Sequence, residues 1–369
     1  MRLPWIDRWK GLLIVLVVAG HVVGGASHFC TGMSSETMSF LYKVIYMFHM
    51  PAFFCLAGLL AGRGVNSPRA GSFRDFVADK ARRLLVPYLV FGLFSALVYV
   101  LLAHRGTLFG AATDGYYQNL GVKELWQPFA ALVHGGGLPR DGFRCNSVLW
   151  FLPAMFSCLC FLWLVRKFVK STVAQLALAI GLLTFEFLNR KYGLVGVLPF
   201  GLSHIPWYGS FVILGNVASA LNPQLSTLNS QPSTLNLLLA TLLFVVACYL
   251  TPNCYYGQFN AVWYLAFFAM ALVGIVLSAM LSRHFSWTWL EKCGRASLGI
   301  MLLHKFAVLL LQVKLPFVSR LSDIPLAFFV ANLLVLAAAV AASWLLTIVI
   351  RRYAPWAIGE FSRRLNPSS

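Results

Sequence analysis

Apolar runs of close to twenty residues, separated by short polar clusters, recur along the whole chain. At 1.5 Å per residue, a helix of that length crosses the ~30 Å hydrocarbon core of a bilayer. Ten such runs can be placed, near residues 11–28, 40–62, 84–103, 147–165, 172–188, 204–221, 235–251, 259–281, 295–313 and 324–350. The pattern predicts an all-α, polytopic membrane protein of about ten transmembrane helices, forming a single domain over residues 1–369. Glu186 and the stretch 193–201 follow the fifth run closely. An eleventh short segment there would invert the orientation of everything downstream.

Composition excludes the soluble alternative that the length alone allows. The chain is 59% hydrophobic and 11% charged, whereas a soluble globular protein carries about a quarter charged residues. Its net charge of +18 raises the question of a nucleic-acid partner. The basic residues, however, sit in short clusters between apolar runs, with no basic stripe interleaved with aromatics, so no nucleic acid is expected. Most of the 29 Lys and Arg residues fall in alternate connections: Arg2, Arg8 and Lys10; Arg63 to Arg83; Arg166, Lys167 and Lys170; Arg283, Lys292 and Arg295; Arg351, Arg352, Arg363 and Arg364. The bias of basic residues toward the cytoplasmic side then places both termini in the cytoplasm, with these clusters facing an anionic leaflet of membrane lipids. The first run looks like a secretory leader, with basic residues, an apolar core and Gly24-Gly25-Ala26. A histidine inside that core and the many spans that follow favour an uncleaved first helix.

Two connections stand out. The longest outer loop, 104–146, holds Tyr116-Tyr117, Trp126, His134-Gly-Gly-Gly137 and Arg140-Asp141; long loops are disproportionately functional, so it is expected to help form an acceptor surface. The inner loop 222–236 carries a repeat, Gln224-Leu-Ser-Thr-Leu-Asn229 followed by Gln231-Pro-Ser-Thr-Leu-Asn236, and reads as a low-complexity linker without chemistry. The eight cysteines show no metal-ligand spacing. A disulfide among Cys30, Cys145 and Cys254, all expected on the outer side, is left open.

The candidate chemistry lies in the spans. His21 ends the run that starts at Lys10-Gly11-Leu12, and Phe48-His49-Met50-Pro51 places a second imidazole in the next one. An ionisable ring in hydrocarbon is costly without a partner or a wet cavity. Eleven residues separate Lys10 from His21, so both lie within ~20° of one helical face and about 16 Å apart along the axis. The lysine then marks the cytoplasmic mouth of a face whose histidine sits near mid-membrane. His49 and His304 each lie about nine residues into their spans, at a similar depth, and three imidazoles there can surround one polar cavity. Imidazole suits general-base work near neutral pH; its ordinary alternative is a hydrogen bond to a neighbouring helix. Asp7 lies one turn from Lys10 and can pair with it. Lys80-Ala81-Arg82-Arg83, before the third span, reads either as positive-inside anchoring or as an anion site suited to phosphate. Trp150 in Leu-Trp-Phe-Leu-Pro153 reads as an interfacial aromatic or a stacking surface. His28, His104, His134, His204 and His284 lie near span ends or loops and receive no role. Gly-rich phosphate loops, nucleophile elbows and HExxH metal motifs are absent from the sequence.

Taken together these elements resemble the acyltransferase-3 family of integral membrane acyltransferases, notably members called fucose-4-O-acetylase-like. The family's basic residue, ten-residue spacer and histidine fall on Lys10 and His21, with Lys10 where many members have Arg. Its Phe-His-Met-Pro pattern falls on Phe48–Pro51, and its basic cluster before Leu-x-x-Pro-Tyr falls on Lys80, Arg82, Arg83 and Pro87-Tyr88. Its Trp-Phe-Leu-Pro falls on Trp150–Pro153, and its Ser-Leu-x-Ile-x-x-x-His on Ser297–His304; the 222–236 repeat is an insertion. The resemblance implies a multi-pass inner-membrane O-acetyltransferase that modifies surface glycans. Its donor would be acetyl-CoA and its acceptor a sugar hydroxyl of a surface polysaccharide or a lipid-linked sugar, with no metal. It further implies His21 as base with His49 as companion, Lys10, Arg82 and Arg83 on coenzyme A phosphates, and Trp150 and His304 at the substrate. A transporter or flippase for a lipid-linked sugar, using the same histidines for proton coupling, is the rival reading; no two-fold internal repeat of the kind transporters show is evident.

Overall fold

The computed structural model describes residues 3–26, 32–62, 72–105, 130, 132–133, 135, 144–221, 233–251, 260–314 and 321–361. These include twelve α-helices: α1 (Pro4–Ala26), α2 (Gly32–Leu60), α3 (Phe73–Lys80), α4 (Val86–Arg105), α5 (Phe151–Phe168), α6 (Thr172–Tyr192), α7 (Ser210–Leu221), α8 (Thr234–Leu250), α9 (Ala261–His284), α10 (Thr288–Arg295), α11 (Ser297–Lys314) and α12 (Pro325–Tyr353). No strand occurs among the described residues. The protein is an all-helical, multi-pass membrane protein.

Every apolar run contains a helix, but not every one is long enough to cross a bilayer. Seven helices among the described residues have the length and apolarity to do so, and an eighth span results if α10 and α11, bent by 88° at Ala296, are counted together. The sixth run holds a 12-residue helix, α7, entered through a π turn, Ile205–Gly209. The seventh holds the 17-residue α8. The stretch after α6 forms no eleventh span: Gly193 ends α6 in the left-handed region (φ 65°), and Pro199–His204 is a 3-10 turn. Most of the loop 104–146 and the repeat at 222–232 lie outside the described residues, as do Cys30, Cys254 and the side chain of Cys145.

Helix α1 is the hub. It packs against α2, α9, α10, α11 and α12, while α2 packs in turn on α7, α8 and α9. Its polar residues find partners across these contacts. Arg8 Nε donates to the Ser282 carbonyl at 2.9 Å, Trp9 Nε1 donates to Ser278 Oγ at 3.0 Å, and Gln312 Nε2 donates to the Val22 carbonyl at 2.9 Å. At its N-terminal end α1 meets α10 backbone to backbone. A Cβ at Gly11 would collide with the Leu290 carbonyl, and one at Gly294 with the Asp7 carbonyl. Small residues permit this approach where apolar packing must hold helices together in lipid.

The basic groups gather at that same end of the bundle. Arg351, at the end of α12, pairs with Glu360 (Nη2–Oε1 2.6 Å) and donates to the Arg295 carbonyl at 3.1 Å. The turn at Gly359 lies directly against the Arg83 carbonyl. Arg82 and Arg83 occupy a π turn, Ala81–Leu85, that continues α3 into α4. Such insertions recur at functional positions in helices.

Replacing Gly11 by Leu forces α1 and α10 apart. Overpacking of this kind costs about 1–3 kcal/mol, so the detergent-solubilised variant is expected to melt at lower temperature than the wild type in a thermal-shift measurement. An unchanged melting temperature would refute the close contact.

Candidate active site

Three elements meet at His21. It stands on α1, half-buried, with its ring centroid 5.3 Å from that of His304 on α11. Tyr46 on α2 lies between the two sequence-predicted imidazoles, 6.4 Å from His21 and 4.7 Å from His49, edge-on to both. Tyr42, one turn back along α2, stacks on Tyr46 at 3.9 Å. The next residue on α11, Lys305, brings its Nζ to 3.4 Å from His21 Nδ1.

The backbone orients two of the rings. His49 Nδ1 lies 2.7 Å from the Ile45 carbonyl, and His304 Nδ1 lies 3.0 Å from the Ile300 carbonyl. A carbonyl only accepts, so each Nδ1 carries hydrogen, and the neutral ring then keeps its lone pair on Nε2. The i to i−4 geometry of a helix makes this bond local and sets each ring's direction. Pro51 follows His49 by two residues within α2; helical proline at membrane depth is tolerated where neighbouring groups satisfy the backbone.

His21, His49 and Lys305 line one cavity of about 790 Å³. Its wall also includes Gly24, Gly25, Ser39, Tyr42, Tyr46, Ser147 and Trp150. These belong to the C-terminal end of α1, the first half of α2 and the approach to α5. The cavity therefore extends from a turn beyond the imidazoles, at Val17 and Phe53, toward the end of the bundle opposite Lys10. Its wall mixes apolar and aromatic surface with a few polar groups, the composition of small-molecule sites. Trp150 is held in the wall by His204 and Tyr208, whose ring centroids lie 4.7 and 5.4 Å away.

Set against the sequence, this arrangement unites some expected residues and separates others. His21, His49 and Trp150 share the cavity. His304 does not line it: the ring is fully buried, packed against His21 from the side of α11. Its contact with the site is thus through the His21 ring. Lys10, Arg82 and Arg83 are not part of the wall either. Lys10 Nζ lies 3.9 Å from Asp7 Oδ1, Arg83 Nε bonds Asp79 at 2.8 Å, and Arg82 is exposed. Lys80 is buried, bonding Asp79 at 3.0 Å and lying over the Phe76 ring. Among the described residues no group of three His, Cys, Asp or Glu side chains could hold a metal ion.

Sequence reasoning passed over Lys305, Tyr42, Tyr46 and His204. A lysine within an apolar run is a legible signal of the same kind as His21, whereas the tyrosines read only as span aromatics. His204 lies at a span end in the sequence, and its packing against Trp150 depends on a turn that no periodicity announces.

Comparison with known proteins adds a chain-wide identification. The family described as Acyltransferase domain (acyltransferase-3) matches residues 3–348. Two curated proteins are similar over shorter stretches. Nodulation protein NolL of Mesorhizobium japonicum (strain LMG 29417 / CECT 9101 / MAFF 303099) is 32% identical over 113 residues, 29% of each chain. Nodulation protein NolL of Sinorhizobium fredii (strain NBRC 101917 / NGR234) is 40% identical over 83 residues, 22% of this chain and 21% of that protein. The match thus spans less than a third of the length of either relative. No solved structure matches. Because the family match runs over nearly the whole length and takes in every residue of the cavity wall, the chain belongs to the acyltransferase-3 family of membrane acyltransferases.

Proposed function

We propose that the chain, acting as a single domain, is an inner-membrane O-acyltransferase. It moves an acyl group, acetyl in our reading, from acyl-coenzyme A to a sugar hydroxyl of a surface polysaccharide or lipid-linked glycan. The observation that carries this reading is the pairing of His21 and His49 on one cavity within the membrane-spanning part of an acyltransferase-family fold. His21 takes the proton of the acceptor hydroxyl as its oxygen attacks the thioester carbonyl. His49, oriented by Ile45 and linked to His21 through Tyr46, is the companion that holds or passes on that proton. Trp150 offers a ring face to the sugar, and His304 packs behind the base.

The donor enters from the basic end of the bundle. Lys10, Arg82 and Arg83 hold the phosphates there, and the pantetheine arm follows α1 toward His21, a rise of about 16 Å. Glycan approaches from the opposite end, where the cavity runs out past Gly25 and Ser39. With the basic end cytoplasmic, as the distribution of Lys and Arg favours, donor and acceptor arrive from the two sides of the membrane. Both termini are then cytoplasmic. Cysteines introduced beside Lys10 and beside Glu360 should react only with membrane-permeant thiol reagents in intact cells; labelling by an impermeant reagent would overturn the orientation.

The acylation reading is tested with labelled acetyl-CoA. Loss of a general base costs roughly 10²–10⁴ in rate, so His21→Ala at normal protein level should abolish detectable glycan ester, read by mass spectrometry of the surface glycans. Wild-type ester content in that variant would eliminate His21 as base. A flippase would move lipid-linked sugar without consuming thioester, so an absence of free coenzyme A release by the wild type would favour the transport reading. For the phosphate site, Arg82→Ala and Arg83→Ala should each weaken coenzyme A binding to the purified protein. Each should also flatten the salt dependence, because an exposed charge acts through a screened field. Unaltered affinity would leave the arginines a topological role alone.

A further inference from the structure

We propose that Lys305 is a catalytic residue: its ammonium caps the base while the site is empty and moves onto the thioester carbonyl oxygen during transfer. The inference rests on the acyl-transfer reading above and adds to it the group that stabilises the developing oxyanion.

Three observations converge on this lysine. Its Nζ lies 3.4 Å from His21 Nδ1, and both side chains open onto the same cavity. Among the described residues that line the cavity, Lys305 carries the only formal charge. Its position is also built in. Lys305 stands eight residues into α11, about 12 Å from its start, and α11 is fixed to α1 by the Gln312 bond to the Val22 carbonyl. On the other side, Asn146 Nδ2 bonds the Leu302 carbonyl at 2.9 Å, tying α11 to the approach to α5. A lysine at this depth is costly to retain in a membrane unless it faces a cavity and serves it.

The geometry specifies which nitrogen works. An ammonium only donates, so Nδ1 of His21 accepts from Lys305, and the neutral ring carries its hydrogen on Nε2. The lone pair that a base needs is therefore on Nδ1, covered at rest by the lysine. An ammonium has three N–H donors on a rotatable stem, so an arriving carbonyl oxygen can draw it aside and expose Nδ1. The acceptor oxygen then attacks the carbonyl carbon, forming the new C–O bond, while its proton passes to Nδ1. Negative charge developing on the carbonyl oxygen is met by Lys305. Collapse breaks the C–S bond, and the departing sulfur takes the proton from the imidazolium as free coenzyme A thiol. Lys305 keeps its three hydrogens throughout. Preorganised donors aimed at developing charge in a water-poor site contribute heavily to such steps.

The test uses membrane vesicles holding the full chain, with radiolabelled acetyl-CoA as donor and the vesicles' own glycolipid as acceptor. Removing an oxyanion donor costs roughly 10²–10³ in kcat, so Lys305→Met should lose about that factor with little change in the KM for acetyl-CoA. Lys305→Arg, which restores the charge, should recover part of the loss. Lys305→Gln, which keeps a polar head without charge, should behave like Lys305→Met. A kcat near the wild-type value in Lys305→Met, a defect confined to KM, or a charge-independent loss shared equally by all three folded variants would overturn the assignment. A wild-type protein that consumes no acetyl-CoA would overturn the acyl-transfer reading, and this inference with it.

Discussion

Ionisable groups inside a membrane protein must be held, and the interior of this bundle is arranged around that requirement. Two imidazoles spend one nitrogen on the carbonyl a turn behind them, at Ile45 and Ile300. The third, His21, takes its contact from Lys305 on another helix. The difference is consequential. A ring bonded within its own helix has a direction set by local backbone, whereas a ring bonded across helices depends on how α1 and α11 are docked. His21 is thus the imidazole whose environment a ligand can most readily change, and it is the one on the hub helix.

The docking of α1 follows from a division of labour along its length. Its first turns are crowded: Gly11 meets the backbone of α10, and Arg8 and Trp9 are bonded to α9. Its last turns border the cavity at Gly24 and Gly25, which pack against Tyr42 and Gln312, and Gln312 reaches the Val22 carbonyl. His21 therefore stands between the tight α1–α10 contact and the stretch of cavity wall at Gly24 and Gly25, with Val17 a turn deeper on the same wall. The basic groups around Lys10 stand on the crowded side, away from the cavity wall.

Aromatic residues set the cavity's character. Tyr42 and Tyr46 form a stacked pair on α2, and Trp150 packs with His204 and Tyr208 in a three-ring cluster. Such rings combine flat apolar faces with, on the tyrosines, a hydroxyl that serves as a hydrogen-bond partner. The Trp150 cluster draws on the 3-10 and π turns at 199–209, where the apolar pattern of the sixth run departs from a regular span. That irregularity shortens α7 and at the same time supplies the side chains that position a cavity residue.

How much of this was legible beforehand depends on whether a property is local. Apolar run length follows from bilayer thickness, so the all-helical membrane class and the position of a helix in every run were readable from one dimension. The cost of a buried imidazole is likewise a property of the residue and its run, which is why His21 and His49 stood out. Span count was less secure, because whether α10 and α11 form one span, and whether α7 and α8 cross at all, turns on bends that apolarity does not encode. Shared depth suggested that three histidines surround one cavity, but depth is a single coordinate. Only the packing of α11 against α1 decided that His304 lies behind His21 and that Lys305, one residue later and about 100° further round the helix, reaches the cavity in its place. Sequence determined which groups are costly to bury; tertiary structure decided which of them face one another, because those contacts join residues hundreds of positions apart and arise only when helices dock.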